Sequence, residues 1–499
     1  MSTTLRLPIE LTEFSLREPP RSLLIRGEPG TGKTTLALTM LSAFRGQRIF
    51  VTSRVFRSEL ERDFAWLSPE NPAVQIIESI RETERVRDRE HVLEKAGELI
   101  DLSQGSGDVE KLWLPDSLTD AYSRMKVGYP GMVVVDSWDA LVERYLGVTR
   151  GEAARFPDRE EIERLLVGLM GRGQVHLVLV AERDTPTQLD YLVDGVVLCN
   201  TQFDGNRLER WLHLKKMRGV RVEHPSYPFT LDGGRFQCIA PLQPNLELSL
   251  PEPDPDPDPR PGWLWPGSNQ FAANFGRLPM GRITLIETDL DVPAEAVVLF
   301  CSPILGYVAR QGGRAVHVLP PRASPETVYH AYRSLITPEQ FLSSVRIFTS
   351  LGGPLHGADA HILEKVMIPG LSPEALGTAP RMPEAVRFLQ EGPTSGAANL
   401  SFVWLTGLEH AGATISNPYT AQNLPAILQH TLESGNVHAI VVGPTSDPLL
   451  AGLREMANVK IEMHSKHGRI FVYGRSPVTP PLVLAVGDPT RPYQLIRIV

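Results

Sequence analysis

The sequence predicts an α/β protein of two tandem domains, each a mostly parallel sheet covered by helices, with the second domain degenerate. Three observations lead there. Apolar runs of strand length, such as Leu23-Leu24-Ile25 and Val175-His176-Leu177-Val178-Leu179-Val180, alternate with segments whose apolar residues recur at helical spacing. The two halves also repeat each other faintly. Arg21-Ser22-Leu23-Leu24-Ile25 is answered by Arg282-Ile283-Thr284-Leu285-Ile286, Gln47-Arg48-Ile49-Phe50-Val51 by Gly313-Arg314-Ala315-Val316-His317, and the Val175 run by Val437-His438-Ala439-Ile440-Val441-Val442. Between the halves lies Leu250-Pro251-Glu252-Pro253-Asp254-Pro255-Asp256-Pro257-Asp258-Pro259-Arg260-Pro261. Its alternate prolines remove backbone donors and its acids repel one another, so an extended, semi-rigid spacer is expected. The predicted boundaries are residues 1–245, a linker at 246–266, and residues 267–499. A chain of 499 residues is long enough to give each half a full core.

Within the first half, Gly27-Glu28-Pro29-Gly30-Thr31-Gly32-Lys33-Thr34 fits the phosphate-loop pattern, and its flanks are those the pattern needs. A strand-like run precedes it, and Thr35-Leu36-Ala37-Leu38-Thr39-Met40-Leu41 follows at helical spacing. Glycines let successive N–H groups turn inward around phosphate oxygens, and the positive end of the new helix faces the same anion. Lys33 is expected to reach the terminal phosphates and the Thr34 hydroxyl to ligate magnesium, so the expected cofactors are ATP and magnesium. The loop from Gly27 to Thr35 is the candidate nucleotide cradle. Met132-Val133-Val134-Val135-Asp136-Ser137 reads as a buried parallel strand ending in a carboxylate, which makes Asp136 the expected metal-side acid. Asp139 reads as a second acid or as a helix cap.

The second half has lost this chemistry. Aligning the first strands puts Thr288 at the place of Gly27, Pro293 at Gly32, Ala294 at Lys33 and Glu295 at Thr34. A proline cannot donate, an alanine carries no charge, and a glutamate repels an anion. Phe402-Val403-Trp404-Leu405-Thr406, the expected second acidic strand, has no Asp at its end. A structural, regulatory or partner-binding role is expected of this half.

Composition narrows the classes further. At 42% hydrophobic and 22% charged residues the chain suits a soluble protein. The most apolar stretch, Ala296 to Ala309, is short and broken by Pro303, and the N-terminus lacks a signal-peptide pattern, so no membrane association and a cytoplasmic location are expected. Cys199, Cys238 and Cys301 lack paired spacing and read as buried thiols. A net charge of −8 argues against a broad basic surface for duplex DNA. The charge-dense segment from Glu78 to Leu102 reads first as a solvated helix and second as a partner-binding surface.

The loop, Val133-Val134-Val135-Asp136-Ser137 and Tyr191-Leu192-Val193-Asp194-Gly195-Val196-Val197-Leu198 together resemble the KaiC-type branch of the RecA superfamily. Arg210-Trp211-Leu212-His213-Leu214-Lys215-Lys216-Met217-Arg218-Gly219, then His224-Pro225-Ser226-Tyr227-Pro228-Phe229, is similar to that family's Lys-Met-Arg-Gly strand and the hairpin after it. The loop followed by Val51-Thr52-Ser53-Arg54-Val55 also resembles archaeal P-loop proteins of the gas-vesicle regulator D type. The resemblance implies two RecA/KaiC-like domains and a homo-oligomeric ring, commonly hexameric, with ATP at the subunit interface. It further implies that Lys216 and Arg218, with Lys33, act on the phosphates, the first two from a neighbouring subunit. The plainer reading treats Lys216 and Arg218, like Arg207, Arg210, Lys215 and Arg221, as solvated strand and turn charges.

One departure bears on activity. Where the family carries a glutamate pair that orients the attacking water, this chain has Arg54-Val55, and an arginine cannot accept a proton at neutral pH. Glu28, Glu59 and Glu182 are other carboxylates for that place, while Arg54 suits a contact with phosphate or with a partner's acid. ATP hydrolysis, if any, is therefore expected to be slow. Three functions remain open: a regulatory ATPase whose nucleotide state is read by a protein partner, a recombinase-like accessory protein acting on DNA, and a nucleotide-sensing scaffold that never hydrolyses ATP.

Overall fold

The computed structural model describes residues 7–67, 74–79, 115–125, 129–149, 158–172, 175–242, 252–318, 325–349, 359–369, 387–389, 399–404, 432–433, 435–447, 450–486 and 493–499. The chain forms two compact units, residues 1–240 with Ile498–Val499, and Pro241–Arg497.

The first unit contains β1 (Ser22–Arg26), β2 (Gln47–Thr52), β3 (Gln75–Glu78), β4 (Gly131–Asp136), β5 (Val175–Val180), β6 (Gly195–Asp204), β7 (Arg207–Met217), β8 (Ser226–Thr230) and β9 (Gln237–Cys238). They lie in the order β3-β2-β4-β5-β1-β6-β7-β8-β9. From β3 to β6 every pairing is parallel, and β7 to β9 close the sheet with antiparallel hairpins. The apolar runs are continuous because both faces are covered. Leu23, Ile25, Val134 and Val180 pack on one side with Leu36, Ala37 and Met40 of the helix Lys33–Ala43. Leu24, Val133, Val135 and Leu179 pack on the other with Trp138, Leu141 and Ile162. Successive strand residues point to opposite faces, so a single run feeds two apolar layers.

The second unit opens with a small hairpin of β10 (Trp263–Leu264) and β11 (Leu278–Pro279). Its main sheet comprises β12 (Ile283–Thr288), β13 (Ala315–Val318), β14 (Val345–Thr349), β15 (Met367–Pro369), β16 (Asn399–Trp404), β17 (Val437–Pro444), β18 (Val459–Lys466), β19 (Arg469–Ser476), β20 (Leu482–Ala485) and β21 (Gln494–Arg497). The order is β15-β14-β13-β16-β17-β12-β18-β19-β20-β21. Here β12 lies between β17 and β18 as β1 lies between β5 and β6, and β16 and β13 follow β17 as β4 and β2 follow β5. Even the shift of register in the first antiparallel pair recurs, between Val196 and Val197 and between Lys460 and Ile461. The duplication read from faint sequence likeness is a duplication of topology.

At the loop of the second unit, β12 ends at Thr288 and the helix Ala294–Arg310 starts after Pro293, matching the alignment by position. Asp289 there accepts from His464 Nδ1 at 2.9 Å. The helix runs through Pro303; the Leu299 carbonyl, deprived of its usual backbone donor, accepts from Ser302 Oγ at 2.7 Å.

From Glu252 onward the Pro/Asp run is hydrogen-bonded within the second unit. Asp254 N–H donates to the Gly267 carbonyl at 3.0 Å, the Asp254 carbonyl accepts from Trp265 Nε1 at 2.9 Å, and its carboxylate accepts from Asn269 N and Nδ2. Asp256 takes a two-toothed grip from Arg277. The acids find donors in the second unit instead of repelling one another. Of the charged Glu78–Leu102 segment, residues 80–102 lie outside the described residues, as do Leu405 and Thr406.

Candidate functional site

The phosphate loop leaves β1 at its C-terminal end, the end at which open α/β sheets bind ligands. Gly27, Gly30 and Gly32 adopt φ of 150°, 78° and 91°. At Gly27 the requirement is absolute: a Cβ there would stand 2.2 Å from the Cys199 carbonyl oxygen of neighbouring β6. At Gly32 a Cβ would press on Leu231 at 3.0 Å. The loop is braced by Thr31, whose Oγ1 donates to the Glu28 carbonyl at 2.8 Å. Glu28, Pro29 and Gly30 form its exposed rim, while Thr31, Lys33 and Thr35 are buried.

Lys33 Nζ donates to the carbonyls of Gly27 and Glu28, both at 2.7 Å, so the ammonium sits inside the loop's own curve. Burial lowers its pKa, opposed by the negative charges of Asp136 and Glu182. Thr34 Oγ1 donates to Asp136 Oδ2 at 2.6 Å. Burial raises the Asp136 pKa, and the Thr34 hydrogen bond and Lys33 pull it back. A hydroxyl and a carboxylate side by side are a hard-oxygen pair that fits magnesium, the remaining positions being left to phosphate and water. Together with the Gly27 cradle, which no side chain can fill, this donor set fits a magnesium-bound triphosphate.

Two charges flank Asp136. In the sheet Thr52 of β2 and Val180 of β5 both pair with Asp136 of β4. Arg54 and Glu182 each lie just beyond those partners, and Arg54 Nη2 meets Glu182 Oε2 at 2.7 Å. The Glu182 main chain is held by its N–H donating to Asp139 Oδ2 at 2.9 Å. Asp139 Oδ1 accepts from Arg159 Nη2 at 2.7 Å, and Arg159 Nε donates to Glu163. Asp139 is therefore a buried strut in the first turn of the helix Trp138–Thr149 and not its cap. Glu59 is spent as a cap, accepting from the Phe56 N–H at 3.3 Å, and Glu28 offers the loop its main chain. Of the three carboxylates considered, Glu182 alone is brought close enough to act on Asp136.

Comparison with known proteins accords with this geometry. Residues 11–215 match a family model described as GvpD gas vesicle protein, P-loop domain. Over these residues the first unit is similar to a GvpD P-loop domain. Similarity to two proteins of Halobacterium salinarum runs further. Protein GvpD2 is 25% identical over 505 residues, covering 96% of this chain and 93% of its own length. Protein GvpD1 is 26% identical over 377 residues, covering 71% of this chain and 64% of its own.

In this first unit Lys216 and Arg218 lie far from the phosphate loop. Lys216 Nζ donates to the carbonyls of Asp190 at 2.7 Å and Val193 at 2.6 Å, capping the short helix Leu189–Leu192. Burial lowers its pKa, and Arg218 adds to the effect. Arg218 Nη1 is 3.6 Å from Asp194 Oδ1. Through Val196, Lys216 sits level with Leu24 of β1, and Arg218 lies farther from the loop beyond Met217, so about 10 Å of strand or more separates them from Gly27. Neither reaches the loop of its own chain.

Arg210 is the opposite case. Read from sequence as a solvated strand charge, it lies in β7 opposite Thr201, and its Nη1 donates to the Gly30 carbonyl at 3.0 Å. Only the register of β6 and β7 puts it there, and no motif announces it. All three cysteines are buried, and burial pushes the Cys199 thiol up to about 12. Among the described residues no helix is long and apolar enough to cross a membrane.

Proposed function

We propose that this chain is a regulatory P-loop protein of the gas-vesicle D type, in which ATP with magnesium binds the first unit and a protein partner reads the bound state. The Thr34–Asp136 hydrogen bond carries this reading, because it joins the loop's magnesium hydroxyl to the strand-end carboxylate beside a glycine cradle. Bound magnesium would be held by these two oxygens and would neutralise charge on the phosphates. Lys33, main-chain amides and the helix start would meet the rest of that charge. The similarity to proteins named GvpD supports the gas-vesicle role.

Arg54 at the usual place of a water-orienting carboxylate favours slow turnover or none, a switch or a non-hydrolysing sensor more than a motor. Lys216 and Arg218, out of reach of their own loop, suit a KaiC-like ring in which they meet a neighbour's nucleotide. The second unit, without Lys or Asp at the corresponding places, suits a structural or docking role. The compartment we propose is the cytoplasm. A DNA-binding accessory role is the weaker reading, given the net charge of −8.

Calorimetric titration of the full chain with ATP and magnesium tests the core of this. Saturable binding is expected, lost in Lys33→Ala and made independent of magnesium in Asp136→Asn. Binding that survives Lys33→Ala unchanged would refute it. Affinity for single-stranded DNA that falls steeply as salt rises would instead favour the DNA reading.

A further inference from the structure

The Arg54–Glu182 pair crosses the mouth of the central strand, and its position points to a task beyond slowing hydrolysis. Arg54 comes from the β2 side and Glu182 from the β5 side, and the strand between them ends in Asp136. Both charges act electrostatically on Asp136 and on Lys33, the residues that would hold the metal and the terminal phosphate. The two ends differ in freedom. The main chain of Glu182 is tied to Asp139, which is itself tied to Arg159, whereas the Arg54 side chain is 54% exposed. A partly exposed ion pair is weakly held and easily exchanged. A terminal phosphate carries more charge and more acceptor oxygens than a carboxylate, and a guanidinium grips it with paired hydrogen bonds.

We propose that Arg54 and Glu182 form a latch that senses the terminal phosphate: a bound triphosphate takes Arg54 from Glu182, and a diphosphate, which ends short of the bridge, leaves the pair closed. The freed Glu182 carboxylate then marks the triphosphate state beside Asp136. This deepens the nucleotide-binding reading and rests on it.

The test compares ATP and ADP, each with magnesium, by calorimetry on the full-length wild type, Arg54→Ala, Arg54→Lys and Glu182→Gln. Arg54→Ala is expected to weaken ATP by about tenfold while ADP stays within about twofold. Arg54→Lys, which keeps the charge but not the fork, should fall between. Glu182→Gln removes the competitor and should tighten ATP by about two- to fivefold with ADP unchanged. Equal losses for ATP and ADP in Arg54→Ala, or weaker ATP binding in Glu182→Gln, would overturn the latch. If the wild type binds ATP, loses it in Lys33→Ala, and keeps its ATP-to-ADP preference in Arg54→Ala, the latch alone fails. If the wild type binds neither nucleotide, the reading beneath it fails as well.

Discussion

Gly27 and Gly30 share a loop and a motif, yet the structure asks different things of them. Gly27 at φ 150° faces the Cys199 carbonyl, which a Cβ would meet at 2.2 Å, whereas nothing lies within 4 Å of a Cβ at Gly30. Gly30→Ala bears only the strain of its φ of 78°, about 1 kcal/mol. Gly27→Ala must in addition push β6 and the loop apart. We expect Gly27→Ala to lower thermal stability clearly more than Gly30→Ala and to abolish ATP binding, which paired melting and titration curves will show. Arg210, on the same loop's Gly30 carbonyl, is expected to matter less: Arg210→Ala should weaken ATP severalfold without losing it, since of its two charge-assisted bonds, to the Gly30 and Val499 carbonyls, only one braces the loop, on the order of 1 kcal/mol.

At the scale of elements, the end of β4 and the end of β5 are locked by polar struts as much as by apolar packing. Asp139, 5% exposed, accepts from both the Glu182 N–H and Arg159, and Glu163 accepts from Arg159 and from Trp138 Nε1 at 3.0 Å. Asp139→Ala would strand a main-chain donor and halve the compensation of Arg159. A loss of about 2–4 kcal/mol in urea unfolding is expected, because the removed group is a buried, hydrogen-bonded charge. In the second unit the Pro/Asp run is held in the same manner. Asp256→Ala would release the Arg277 guanidinium, and faster proteolysis within residues 252–261 relative to wild type is the expected readout.

Across the whole molecule, protonation should divide stability by pH. Burial lowers His176 in the first unit and His317 and His438 in the second to about 4. An unfolded histidine takes its proton near about pH 6.5, so each group costs stability as pH falls from there toward the folded value, at about 1.4 kcal/mol per pH unit. His464 has the opposite sign: the Glu462 carboxylate beside it, helped by its hydrogen bond to Asp289, raises its pKa. Its contribution is fully present below about pH 6.5 and is lost as pH rises through the raised folded value. Melting temperatures measured against pH should therefore fall on the acid side, more steeply for the second unit. His438→Gln should shallow that acid limb, and His464→Gln should flatten the alkaline one.

The glycine loop, its strand and helix, the acid at the end of β4 and the duplicated α/β plan were all legible in the sequence, because each depends on neighbours in the chain. Apolar runs mark strands buried on both faces, and phosphate chemistry needs its residues at fixed spacing. The lost chemistry of the second loop was legible for the same reason. The sequence could not show that Glu182 faces Arg54, that Asp139 is a strut, that Arg210 touches the loop or that Lys216 caps a helix end away from it. Nor could it show that acids of the Pro/Asp run find Arg277, Asn269 and other donors in the second unit. Those partners lie far apart in sequence and meet only through strand order and register. Only the assembled sheets decide which charges stand together over Asp136.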